Sequence, residues 1–256
     1  MKKISGFLES ARHRQTLRRW EALGRTATSA PLRDLRRLRT FAQELGQRVQ
    51  AVQRTADLRL AKPPVGSTEM KLPPSTDWSH RPALWRIAQT PSGYAPARNE
   101  AGFAGEATLY HDDRTNSLSL RQIRNSAPGL LAPYGVQIDI YQFSGSFLSL
   151  VVRAPADALD GLTKNHILRL TSHITSERPI EVTARINLKN GPNTEQVSTA
   201  VKSRETPVAT EFDMAYVPFN ETRAEHLWVD LFIDSPPMNV VRLLDLSFSR
   251  HRRAEV

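Results

Sequence analysis

Between residues 136 and 153 the chain alternates: Val136, Ile138 and Ile140 against Gln137, Asp139 and Tyr141. A period of two puts the two sets on opposite faces of a half-buried strand. Ser144, Gly145 and Ser146 interrupt the pattern, and Phe147, Leu148, Leu150, Val151 and Val152 resume an apolar run. Two such runs about a Gly-centred break predict a β-hairpin at the heart of a sheet-forming domain. Further short runs lie at 106–111, 118–124, 167–174, 180–188, 208–216, 227–233 and 241–248, about nine strands in all. The cleanest sets Ile180, Val182, Ala184, Ile186 and Leu188 against Glu181, Thr183, Arg185 and Asn187. Turn residues stand at Asp160-Gly161, at 190–193 and at 235–237, where their backbone preferences suit chain reversal. With no βαβ rhythm and no repeat, the pattern predicts a mainly β fold, an antiparallel jelly-roll-like β-sandwich; a closed barrel is the alternative.

Residues 1–60 follow a helical period instead. Ile4, Phe7, Leu8 and Ala11 share one face, whereas Leu17, Trp20 and Leu23 have rotated to another. Gly24 and residues 26–30 break this helix, and Pro31 restarts one where a missing N–H costs nothing. In the second helix Leu35, Leu38, Ala42, Leu45, Val49, Val52 and Ala56 recur at alternating steps of three and four, a coiled-coil-like seam. Arg33, Arg36, Arg37, Arg39, Arg48 and Arg54 lie off it. The seam suits a hairpin with the first helix, which is the preferred reading, an oligomer, or an apolar face laid on a membrane or partner. Gly46 and the small alanines weaken it as a coiled coil standing alone.

Residues 61–100 carry seven of the seventeen prolines, with Gly66, Ser67, Ser75, Ser92 and Gly93 among them. That composition excludes helix and implies an extended arm. Trp78, Leu84, Trp85, Ile87 and Tyr94 are too apolar for water, so residues 77–96 are expected to pack on the β-domain rather than offer Trp78 and Trp85 as a ligand platform. The organisation read from the chain is thus a basic helical segment 1–60, a Pro/Trp-rich arm 61–100, a β-sandwich domain 101–250 and a basic tail 251–256.

Charge sharpens this division. Residues 1–60 hold 14 of the 35 Lys and Arg but 5 of the 26 Asp and Glu, a net +9 that equals the charge of the whole chain. Such a block suits an anionic surface contacted through Arg33, Arg36, Arg37 and Arg39, though a solvated helix face accounts for it equally well. Nucleic acid gains little support, since only Trp20 and Phe41 accompany the arginines. The opening residues lack the continuous apolar core of a secretory leader, and no segment has the apolar length of a membrane span. The absence of cysteine excludes disulfides and thiolate chemistry. A cytoplasmic protein is expected, peripheral at the inner membrane surface if the basic helices bind there.

Motifs for phosphate loops, dinucleotides, zinc proteases and serine hydrolases are absent, and no cofactor or metal is expected. Ser144-Gly145-Ser146 reads as a turn rather than a nucleophile elbow. His111-Asp112-Asp113 could offer ligands to a cation but reads better as a loop, and His166 and His173, seven apart, would face opposite sides of one strand. Glu211 and Asp213 share a strand face, so a glycan-active enzyme using either with Asp230 is a minor reading. The polar strand faces suggest more. Tyr141, Arg185, Asn187, Asp213, Trp228 and Asp230 lie opposite their strands' apolar sets. If the strands are neighbours, they combine aromatic planes with fixed hydrogen-bonding groups, the chemistry that holds a sugar. The alternative is a face covered by the arm or the helices, which Phe232 on the same parity favours. A non-enzymatic binding protein for a glycan or a protein is the leading expectation, and a structural or oligomerisation module the second.

The segments WSHRPALW (78–85), LRQIRN (120–125), GSFLSLVV (145–152), ARINLKNGPNTEQV (184–197), EFDMAY (211–216) and LWVDLF (227–232) resemble an uncharacterised family of alphaproteobacterial proteins over roughly residues 76–255. The resemblance implies a bacterial protein with one recurring domain, and no catalytic residues.

Overall fold

The computed structural model describes residues 2–60, 70, 72–115, 117–126, 130–202, 206–234 and 238–253. The expected turn at 235–237, Pro63, Pro64, Gly66 and Ser67 of the arm and residues 254–256 of the tail lie outside them, as do the side chains of Ile4, Phe7, Leu8, Ala11 and Ala56. The chain divides into two compact units, Met1–Thr55 and Ala56–Val256.

The larger unit is an antiparallel β-sandwich. Its first sheet orders β11 (Val208–Asp213), β8 (His166–Ser176), β13 (Asn239–Arg252), β6 (Tyr134–Ile140), β5 (Leu118–Arg124) and β2 (Gly93–Tyr94), with β1 (Thr76–His80) paired to the far end of β13. The second orders β10 (Asn193–Val201), β9 (Glu181–Asn190), β12 (Ala224–Asp234), β7 (Leu148–Arg153), β4 (Ala107–His111) and β3 (Ala101–Phe103). Apolar alternates of both sheets face each other. Leu109, Leu150, Leu231 and Ala184 form one cross-strand row of the second sheet, and Leu120, Ile138 and Val241 one of the first, all fully buried. Burying each large aliphatic side chain stabilises the fold by about 1.5–3 kcal/mol.

The expected central hairpin is not formed. β6 lies in the first sheet and β7 in the second, so residues 141–147 cross between sheets. Periodicity reports which face of a strand is buried, not which neighbour it pairs with, and two inward-facing runs look alike in either case. The break is a crossing held by two carboxylates: Asp113 accepts from the backbone N–H and hydroxyl of Ser144, and Asp112 from the N–H and hydroxyl of Ser146 and the N–H of Phe147. A Cβ at Gly145 would run into the Asp112 carboxylate and the Phe143 ring. Genuine hairpins join β3 to β4, β5 to β6, and β9 to β10, the last through Gly191 at positive φ.

The arm departs from its expectation in part. Residues 76–80 add β1 to the first sheet, and Ala83–Arg86 form a single helical turn, α3. Pro82 stands at the position where its missing N–H is harmless, and the Glu106 carboxylate accepts the Ala83 N–H. That turn sinks Leu84 and Trp85 fully into the core, with Trp85 Nε1 donating to the Leu243 carbonyl at 2.9 Å. Trp78 packs against the core and donates to Asp157. Asp77 beside it takes Arg250 at 2.8 Å and His166 at 3.1 Å. Burial alone would raise the Asp77 carboxyl, but the Arg250 guanidinium and His166 hold it below the usual carboxylate range. Strand β10 was absent from the sequence reading, since polar residues fill six of its nine positions and its clear apolar anchors, Val197 and Val201, are four apart.

The smaller unit holds helices α1 (Lys2–Ala27) and α2, which runs from Leu32 to Leu60. α1 carries through Gly24 and stops at Ala27, where Thr28 Oγ1 closes on the Arg25 carbonyl. Trp20, Leu23, Ala27, Ala30, Leu35 and Leu38 are half-buried around the corner. Beyond it the seam is open: Leu45, Val49 and Val52 are 40%, 48% and 69% exposed. Among the described side chains the expected hairpin is confined to the corner: Trp20, Leu23 and Ala27 of α1 are half-buried there, whereas Leu17 is 53% exposed. Among the described residues no helix is long and apolar enough to cross a membrane.

Candidate functional site

Four strands of the second sheet turn their polar alternates outward, and the register aligns them in rows. Tyr110, Ser149, Phe232 and Thr183 form one row; Thr108, Val151, Asp230 and Arg185 the next; Arg153, Trp228 and Asn187 the third; His226 and Lys189 the fourth. A groove of about 710 Å³ lies along these rows, within the range of ligand-sized pockets. Tyr110, Phe147, Trp228 and Phe232 give it aromatic surface.

The polar groups on its floor are fixed. Asp230, only 5% exposed, accepts from Arg185 Nε at 3.0 Å and Nη2 at 2.7 Å and from Asn187 Nδ2 at 3.0 Å. Gln196 on the edge strand donates to Asn187 Oδ1 at 2.9 Å. The Arg185 guanidinium lies 4.5 Å above the centre of the Phe232 ring, so charge, hydrogen bonds and a cation–π contact hold one side chain in one place. Ser149 Oγ is buried on this floor with no hydrogen-bond partner among the described residues, and an unsatisfied buried hydroxyl is costly unless something bonds to it. Phe147 forms part of the wall because Asp112 grips its backbone N–H. The Ser146 hydroxyl and the Phe147 and Ser146 N–H groups hold the Asp112 carboxyl below its ordinary range, slight desolvation notwithstanding.

Of the residues singled out in the sequence, Arg185, Asn187, Trp228 and Asp230 come together here. Tyr141 and Asp213 do not. Tyr141 begins the crossing out of the first sheet and stands exposed beside Ser119, Arg121 and Asp139. Asp213 ends β11 in the first sheet, accepts the Ala215 N–H and pairs with Arg253 at 3.3 Å. Strand parity gives the face of a residue within its own sheet and not which sheet the strand joins. Phe232, taken in the sequence as a sign of coverage, lines the groove under Arg185 instead, and the described strands of the arm up to Tyr94 join the first sheet.

Sequence reasoning missed Tyr110, Phe147, Ser149, Val151, Arg153 and His226. The alternation of 148–153 marks Ser149, Val151 and Arg153 as outward, but their place in the groove needed the pairing of β7 with β12. Glu211 faces Arg169 at 3.6 Å on the first sheet, so neither it nor Asp213 meets Asp230, which removes the two-carboxylate arrangement. His166 is buried in contact with Asp77 and Thr163, and His173 is buried opposite Asp245. His111 Nδ1 accepts from the Asp113 N–H, and Nε2 meets the Ala97 carbonyl. Among the described residues no cluster of His, Asp or Glu is arranged to hold a metal ion. Arg33, Arg36, Arg37 and Arg39 are exposed on α2.

No curated protein is similar in sequence to this chain. Distant likeness in shape extends to the enzymatically active domain of tailspike protein 4 of bacteriophage CBA120 (8% identity, TM-score 0.40, covering 60% of this chain and 21% of that one). It extends also to the family 11 carbohydrate-binding module of Clostridium thermocellum in complex with a β-1,3-1,4-mixed-linked tetrasaccharide (10% identity, TM-score 0.37, covering 59% and 92%). A third is the Stig cyclase Fisc of Fischerella sp. TAU (11% identity, TM-score 0.38, covering 68% and 96%). The chain spans about a fifth of the tailspike chain's length. Likeness this distant transfers no activity, and the sandwich rests on its own strand pairing. A family model matches residues 1–256 rather than the sandwich alone, and so the chain, helices included, belongs to the family of unknown function DUF6478.

Proposed function

We propose that this is a non-enzymatic binding protein whose second sheet holds a saccharide chain along its outer face. The observation that carries this reading is the groove itself, where aromatic surface lies beside the immobilised Arg185–Asp230 pair. Pyranose rings present apolar C–H faces that lie on aromatic planes, and equatorial hydroxyls that both donate and accept. Arg185 and Asp230 of the lining, braced by Asn187, and the Ser149 hydroxyl supply matching groups in fixed positions, so little ordering entropy is lost on binding. Trp228→Ala in the full chain is expected to lower saccharide affinity at least about tenfold, as removal of a central aromatic anchor does, with an unchanged near-UV circular dichroism spectrum. Glycan-array and titration profiles identical to wild type would remove the groove from consideration.

The helical unit supports a second contact. Exposure of Leu45, Val49 and Val52 beside a strongly basic helix favours association with an anionic surface through Arg33, Arg36, Arg37 and Arg39, such as the inner leaflet of a bacterial membrane. The same exposed seam also suits an oligomer, which would make the protein a structural module.

A further inference from the structure

Resting on the saccharide reading, we infer that the groove selects an acidic saccharide, one whose rings carry a carboxylate, as hexuronates do. The cationic side chain placed for such a group is Arg153, directly across from Trp228 in the third row of the groove. Asp230 is the one carboxylate among the lining residues, and it is already engaged by Arg185 and Asn187. Among the described residues the Arg153 side chain has no ion-pair or hydrogen-bond partner, and it lines the groove. A guanidinium presents parallel N–H donors that match a carboxylate in a two-point contact. A ring resting on Trp228 would carry its equatorial C5 substituent at the ring edge, within reach of the neighbouring strand. A carboxylate at that carbon meets Arg153; a hydroxymethyl group there leaves the guanidinium without an anion. The aromatic surface distinguishes this arrangement from a bare basic patch, because it recognises the ring while Arg153 recognises its charge.

The test is a calorimetric titration of the full chain with a hexuronate trisaccharide and its carboxyl-reduced counterpart, for wild type, Arg153→Gln and Trp228→Ala. The wild type is expected to bind the acidic trisaccharide at least about tenfold more tightly, the scale of a charge-assisted bidentate pair. Arg153→Gln is expected to abolish that preference while retaining binding of the reduced sugar. Equal wild-type affinities for the two sugars, both lost in Trp228→Ala, would overturn the charge selection and leave the saccharide groove standing. An acidic preference that survives Arg153→Gln would also overturn it, since Arg33, Arg36, Arg37 and Arg39 remain in every variant and would be its source. No binding of either trisaccharide would overturn the saccharide reading and this inference with it.

Discussion

The two outward faces of the sandwich are built from the same kinds of residue and treat them differently. At the first sheet four guanidinium groups meet acids: Arg81 with Asp245 at 2.9 Å, Arg121 with Asp139 at 3.4 Å, Arg169 with Glu211 at 3.6 Å and Arg242 with Glu177 at 3.4 Å. Ser119 and Gln137 fill the remaining acceptor sites of Asp139. On the second sheet Arg185 is held by Asp230, while among the described residues the Arg153 side chain, across from Trp228, has no partner and neither has the buried Ser149 hydroxyl two rows away. The first sheet is not saturated throughout, since Arg169 Nε and both ring nitrogens of His173 are buried without a hydrogen-bond partner among the described residues. What sets the second sheet apart is that its rigid polar groups line a groove with aromatic surface, and this difference favours it as the proposed binding surface.

The largest effect should come from breaking a pair on the closed face. Asp245→Ala leaves the Arg81 guanidinium, 5% exposed, buried without its anion, and is expected to cost about 3–5 kcal/mol in urea denaturation. A loss no greater than that of an exposed substitution, within about 0.5 kcal/mol, would dissolve the contrast between the faces.

An intermediate effect is expected at the crossing that joins the two sheets. The Asp113 carboxyl sits at about 2 instead of 3.8: burial opposes this, but the Ser144 and Ser117 N–H groups and the Thr115 and Ser144 hydroxyls hold it charged. A folded value below the unfolded one means that the stabilisation is fully present above about pH 4 and is lost as pH falls towards 2. Asp113→Asn should therefore lose less stability than wild type between about pH 6 and pH 3, measured by denaturation at both. An equal loss in the two proteins would show that the crossing does not depend on this charge.

The smallest effect tests the open face. Ser149→Ala removes a buried hydroxyl that has no partner among the described residues, so stability should be unchanged or rise by about 1 kcal/mol. Saccharide affinity should fall a few-fold if the hydroxyl bonds to the ligand. A clear loss of stability would mean that the floor is satisfied internally, and would bring the two faces closer together.

Much of the core was legible because strand parity is local. Ile180 to Leu188 announced its buried face without help, and the same parity placed Arg185, Asn187, Trp228 and Asp230 outward. Tyr141 and Asp213 obeyed the same rule and were still assigned to the wrong site, since parity carries no information about which sheet a strand joins. The single turn at Ala83–Arg86 was hidden by its prolines, one of which starts it. Asp112 and Asp113 were legible as a loop but not as the clamp that orders Phe147, because their partners lie about thirty residues away in the chain.

By itself the sequence determined the fold class, the basic helical segment, the buried face of most strands and the absence of thiol chemistry. These follow from composition and from periodicities that a few neighbouring residues establish. Tertiary structure alone decided that residues 141–147 cross between sheets, that β12 lies between β7 and β9, and that Arg153 consequently faces Trp228. Pairing is a choice among many inward-facing strands of similar apolarity, settled by how all of them fill one core, and a binding site made of cross-strand rows exists only after that choice.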